Sequence, residues 1–151
     1  MSDLTLDVGV LMSGAGLGAP EFSEASRTLM DRMKDSPAAC LVMDDGGFID
    51  YQYREKLKDS FGAMWVRRMA DLDKILHVRR KNLDRGTQTQ LREAHFDQED
   101  CKYYVRTAAG SPSKRLVSHD PDYSARVQRV IKKRLGIVVF PAEQATDLYA
   151  L

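Results

Sequence analysis

The stretch 4-LTLDVGVLMSGAGLGAPEFSEA-25 decides the fold. Leu4–Val8 reads as a short apolar strand broken by one acid, Asp7. A glycine-rich loop, Gly14–Gly18, comes next, and Pro20-Glu21 opens a helix with Phe22, Ala25, Leu29, Met30 and Met33 on one face. Further strand-like runs follow at Ala39–Met43, Arg115–Ser118 and Ile137–Phe140. Each is short, rich in Val, Leu or Ile and bounded by turn residues, as buried parallel strands are.

Helical patterns fill the intervals. One follows the turn Asp44–Gly47 through Tyr53, Leu57 and Phe61 towards Leu76. His77–Gln90 reads as a polar, basic loop leading into a short helix. The acids Asp97 to Asp100 mark a helix start with Asp97 as cap, running to Ala109 before Gly110-Ser111-Pro112. Asp122–Leu135 predicts an amphipathic helix ended by Gly136, and Pro141–Leu151 one last short helix. Alternating strands and helices predict an α/β protein: a three-layer α/β/α sandwich around a central, mostly parallel sheet. With no repeat or linker, residues 1–151 read as a single domain.

Bulk properties agree. A chain of 151 residues, 43% hydrophobic and 30% charged, suits one soluble domain with its own core. Its 23 basic and 22 acidic residues nearly cancel, so charge distribution matters more than net charge. No run is long enough to span a bilayer, and the acidic start argues against a signal peptide, which predicts a cytoplasmic protein. Cys40 and Cys101 form no CxxC pair and read as reduced packing residues.

Two features of the opening stretch compete for chemistry. The glycines run GxGxG rather than GxGxxG, and no Walker lysine follows, so a phosphate cradle is poorly supported. Asp7 is a carboxylate in an apolar strand, costly to bury unless paired or bound to a cation. Taken alone, a turn or capping role explains it equally well. A second strand, however, ends in the same way: Asp120 and then Asp122 follow Leu116-Val117-Ser118. Acids at the ends of two parallel strands would converge on one crevice and repel each other unless a cation sits between them. Oxygen donors of this kind suit Mg²⁺ or Mn²⁺.

These residues resemble a known pattern. LTLDVGVL, GGFIDYQYREKL, FDQEDCKYYVRTAA, LVSHDPDY and LGIVVFPAEQA are similar, in order, to the motifs of the PIN-domain (PIN-like) nucleases in their bacterial form. The resemblance implies metal-dependent cleavage of phosphodiester bonds, RNA before DNA, in a toxin-like setting. It places the catalytic acids at Asp7, Asp100 and Asp120, with Asp122 completing the ligands for Mg²⁺ or Mn²⁺ and Ser118 in a hydroxyl position near the substrate. Pairing with a protein partner such as an antitoxin, and a homodimer, are also implied.

The sequence departs from the family at one place. Where the pattern has a glutamate it has Gln52, an amide that can ligate but brings no charge. Glu55, three residues on and on nearly the same helix face, is the candidate replacement, or else a solvated partner of Arg54 or Lys58. A degenerate module that binds nucleic acid or a protein without cutting is therefore the alternative function. His119 adjoins Asp120 and is a candidate substrate contact, as is Gln52. Arg79, Arg80 and Lys81, in the polar loop, are the candidate phosphate grip.

Overall fold

The computed structural model describes residues 2–149. Five strands, β1 Ser2–Leu6, β2 Ala39–Asp44, β3 Ile75–Val78, β4 Arg115–Val117 and β5 Val138–Phe140, form one sheet in the order β3-β2-β1-β4-β5. Every pairing is parallel. The helices are α1 Val8–Gly14, α2 Ser23–Asp35, α3 Phe48–Leu57, α4 Phe61–Asp71, α5 Arg85–Glu93, α6 Glu99–Gly110, α7 Ala125–Leu135 and α8 Ala142–Thr146. They flank the sheet to give a three-layer α/β/α sandwich. Among the described residues no helix is long and apolar enough to cross a membrane.

The chain winds outward from β1 in both directions: β2 and β3 lie on one side, β4 and β5 on the other. The order therefore reverses between β1 and β4. Side chains just beyond the carboxyl ends of neighbouring strands face a common crevice at such a point. Asp7 follows β1, and Ser118 to Asp122 follow β4.

Several expected boundaries are corrected. β1 stops at Leu6, and Asp7 caps the N-terminus of a helix in place of lying within a strand. Val8, Val10 and Leu11 look strand-like, but they belong to a short, largely buried helix that Asp7 starts. The long helix expected towards Leu76 is two, α3 and α4, separated at Lys58, whose φ of +48° cannot continue a helix. His77–Gln90 is not simply a loop: it contains the end of β3 and most of α5. β3 was hidden because it is only four residues long and runs straight on from the apolar pattern of α4. Gln98, not Asp97, precedes α6, and Ser124, not Asp122, caps α7 by accepting the Val127 N–H. The tail forms α8 and a 3-10 turn, Asp147–Tyr149, while residues 150 and 151 lie outside the described residues.

The glycine loop is a turn that ends α1. Gly14 is buried with Met30 Sδ where a Cβ would stand, and its carbonyl accepts from Arg27 Nε at 2.9 Å. Gly16, at φ +79°, is the residue that needs left-handed backbone. One residue, Asp7, separates β1 from α1, so no phosphate-binding loop fits between this strand and its helix.

Leu4 and Leu6 of β1 are fully buried under Leu29, Met30, Ile49 and Val105 of the core cluster. Two aromatic side chains tie this core to backbone. Trp65 Nε1 donates to the Met30 carbonyl at 2.7 Å, and Tyr53 OH donates to the Leu6 carbonyl at 2.7 Å. Tyr53→Phe removes the donor from a buried carbonyl, so it should cost about 1–2 kcal/mol. Urea unfolding should show a lower midpoint with an unchanged slope; an unchanged midpoint would contradict the role given to this bond.

Candidate metal centre

Asp7 is held from both sides. Its Oδ1 accepts the Gly9 N–H at 3.2 Å, and its Oδ2 accepts the Ser118 hydroxyl at 2.9 Å. The backbone fixes the same junction, since Asp7 N–H donates to the Val117 carbonyl at 3.0 Å. Ser118 passes the connection on. Its Oγ accepts the Asp120 N–H at 3.0 Å, and Asp120 Oδ1 accepts the Asp122 N–H at 2.9 Å. The remaining Asp120 oxygen, Oδ2, faces Cys101 Sγ at 3.9 Å. Donor atoms of Cys101, Asp120 and Asp122 all lie within 4.8 Å of one another.

Asp100, in the first turn of α6, is exposed and lies outside that group of donor atoms, although its charge acts on Asp7. Burial pushes the Asp7 carboxyl above the ordinary aspartate range, against the lowering effect of its bonds to Gly9 and Ser118; the charges of Asp120 and Asp100 raise it further. The acids that follow β1 and β4 and the acid at the start of α6 thus act on one another electrostatically. The Cys101 thiol, buried beside Asp120, Asp7, Asp122 and Asp100, is pushed up to about 12. It stays protonated at neutral pH.

A wall of tyrosines backs the cluster. Tyr104 OH accepts the Val8 N–H at 3.3 Å, satisfying a first-turn donor of α1, and Tyr123 OH donates to the Cys101 carbonyl at 3.4 Å. Burial, then the neighbouring acids, raise the pKa of Tyr53, Tyr104 and Tyr123, so all three remain neutral. These neutral rings keep water from the protein side, while Asp7, Asp120 and Asp122 stay half-exposed and Asp100 exposed.

Other candidates lie apart. Glu55 is exposed on α3 and is absent from the charges that raise Asp7. Nor does it pair with a base: Arg54 binds Asp50 at 3.0 Å instead. Gln52 is half-buried beside Tyr53 and makes no hydrogen bond to the cluster among the described residues. His119 turns away from Asp120; its Nε2 accepts the Ala142 N–H at 3.0 Å and its ring stacks on Phe22 at 4.1 Å. Those contacts make it an anchor for α8. Asp44 is fully engaged in starting α3, accepting from the Phe48 and Ile49 N–H groups at 3.1 and 2.8 Å, with Arg80 Nε at 3.6 Å. Arg80 is thus half-spent, whereas Arg79 and Lys81 are exposed. Of the basic groups in the sequence, the end of α7 is structural in part: Arg134 binds Asp84 at 3.0 Å and Thr87 at 3.1 Å, joining α7 to α5.

The residue that sequence reasoning missed is Cys101. Its packing role holds, for it is 6% exposed, but its sulfur also faces the acids. The available signal was its position directly after Asp100.

No protein-family profile matches the chain. A segment of 62 residues is 34% identical to a shikimate kinase of Paramagnetospirillum magneticum; it covers 41% of this chain and 31% of that enzyme. The chain therefore spans under a third of the length of the curated relative it matches.

The raised Asp7 carboxyl gives a signed prediction. Between the unfolded value near 3.8 and the higher folded value, the unfolded chain ionises first. Stability from this group is thus full below that window and is lost as pH rises through it. In EDTA at pH 7, Asp7→Asn should melt a few degrees above the wild type, and the gap should close towards pH 3. Asparagine preserves the helix cap. A lower melting temperature for the variant at pH 7, by differential scanning calorimetry, would contradict the strained carboxylate.

Proposed function

We propose that the chain is a metal-dependent nuclease of PIN-like type, cleaving phosphodiester bonds in RNA. The observation that supports this reading is the hydrogen-bonded series Asp7–Ser118–Asp120–Asp122 at the reversal between β1 and β4, with donor atoms of Cys101, Asp120 and Asp122 within 4.8 Å of one another. Half-exposed acids this close fit a divalent cation, and their oxygen donors are those that hard cations prefer. Asp7, Asp120 and Asp122 would hold Mg²⁺ or Mn²⁺, with Asp100 alongside and Cys101 within reach. When bound, such a cation polarises the phosphoryl group and makes a water nucleophilic at neutral pH.

The chain's own residues supply the rest. Ser118 fixes the rotamer of Asp7 and the backbone of Asp120 through one hydroxyl, so the two strand ends move together. The tyrosine wall excludes water from the protein side and leaves the opposite side for substrate. Arg79 and Lys81 remain available for backbone phosphates. Gln52 replaces a charge with an amide, which lowers the negative charge available to bind cation.

The shikimate kinase similarity raises a nucleotide-binding reading. The sequence has no GxxxxGK[ST] motif, and β1 passes into α1 through Asp7 alone, which leaves no phosphate loop. The second reading that a specific residue favours is the non-cleaving module, through Gln52. A protein partner and dimerisation follow only from the family resemblance.

Incubation with labelled single-stranded RNA and Mn²⁺ should give cleavage that EDTA abolishes. Asp7→Asn and Asp120→Asn should each lower the rate at least a hundredfold, as loss of a metal ligand does. Gln52→Glu should raise the rate at low Mn²⁺. Full activity in Asp7→Asn would remove this centre from the chemistry, and RNA binding without turnover in every variant would favour the non-cleaving module.

A further inference from the structure

Beside the acid cluster, on α6, lies a groove of about 260 Å³ lined by Asn82, Gln88, Glu99, Lys102, Tyr103 and Arg106. This is below the usual size of a pocket for a whole small molecule, so it suits a piece of a polymer. Its position follows from helix periodicity. Glu99, Lys102, Tyr103 and Arg106, at i, i+3, i+4 and i+7, form one row along α6 that starts beside Asp100 and climbs about 10 Å. A strand whose scissile phosphate sat among the acids would have its neighbouring phosphates over this row.

The donors there are organised. Tyr103 stacks on Phe48 at 4.0 Å, and the guanidinium groups of Arg80 and Arg106 lie 4.5 and 5.5 Å from its ring centroid, within cation–π range. Arg106 spends one N–H on the Lys81 carbonyl at 2.9 Å and another on Asn82 Oδ1 at 2.8 Å. The rest of its five donors make no hydrogen bond among the described residues. Half-buried Lys102 reaches exposed Glu99 at 3.7 Å, a contact that a phosphate can replace on the solvent side. Glu99 is the one acid lining the groove.

We propose that this face of α6 is a subsite for the backbone phosphates of single-stranded RNA next to the cleavage position, with Lys102 and Arg106 as its phosphate ligands and Tyr103 as the pillar that positions the two arginines. The proposal rests on the nucleic-acid reading above. It assigns to Lys102, Tyr103 and Arg106 the role that sequence reading had given to Arg79, Arg80 and Lys81. Glu99 opposes binding and limits affinity.

The test is fluorescence anisotropy of a labelled single-stranded oligoribonucleotide in EDTA, which separates binding from cleavage, at several salt concentrations. Lys102→Gln/Arg106→Gln should weaken binding about tenfold and lower the salt slope by about 1.4, about 0.7 for each lost phosphate contact. Glu99→Gln should tighten binding. A control that removes the same charge on α4, Arg67→Gln/Arg68→Gln, should change neither affinity nor slope. Wild-type binding that survives Lys102→Gln/Arg106→Gln with its slope intact overturns the subsite alone, as does an equal loss in the α4 control. No binding by the wild type overturns the nucleic-acid reading itself. Lys102→Arg, which keeps the charge without touching Arg106's backbone contacts, should bind as the wild type; a loss there equal to that of Lys102→Gln also overturns the phosphate role.

Discussion

The hydrogen bond from Ser118 to Asp7 joins the two halves of this molecule at the point where its strand order reverses. The sheet alone brings β1 and β4 side by side, but it does not fix what stands beyond their ends. One hydroxyl does so, donating to Asp7 and accepting from the Asp120 backbone. Asp120 in turn orients Asp122 and meets Cys101. The acids form a chain of mutually positioned groups, so their crowding is a property of the fold and not of chance side-chain placement. Crowded carboxylates carry a cost in isolation, which Asp7 shows by its raised proton affinity.

That cost explains the surroundings. A helix N-terminus faces Asp7, giving it partial positive charge through the Gly9 N–H. Tyr104 satisfies the next donor of the same helix, while Tyr53 secures the last carbonyl of β1. Each aromatic ring fills space that water would otherwise occupy, and each hydroxyl is used by backbone. The result is an acid site with a dry, rigid back and an open front, the arrangement expected where a cation completes the structure. On the open side, α6 turns from acids at its start to Lys102 and Arg106 within two turns, a polarity that suits an anionic polymer lying over it.

Much of this was legible in the chain, and the rest was hidden for physical reasons. Short Val- and Leu-rich runs bounded by turns disclosed β1, β2, β4 and β5, because buried parallel strands need apolar side chains on both faces. β3 escaped because its four residues, Ile75–Val78, run straight on from the apolar pattern of α4 and read as the end of one long helix. Asp7 and Asp120 could be paired from their places after two strands, whereas Asp100 entered only through the family resemblance. Cys101 could not, since burial and proximity to Asp120 are set by packing across α6 and the turn after β4. His119 and Asp44 show the converse. Both sit where a ligand could be expected, yet backbone N–H groups of α8 and α3 claim them. Which polar group serves the backbone and which stays free is decided by tertiary contacts that one-dimensional spacing does not record.

The central claim is that these acids constitute one cation site. Crystals grown with Mn²⁺ and measured at the manganese edge address it directly. The account predicts an anomalous peak at coordination distance, about 2–2.3 Å, from carboxylate oxygens of both Asp7 and Asp120. Full-occupancy density elsewhere on the molecule, with none between those two side chains, would contradict it.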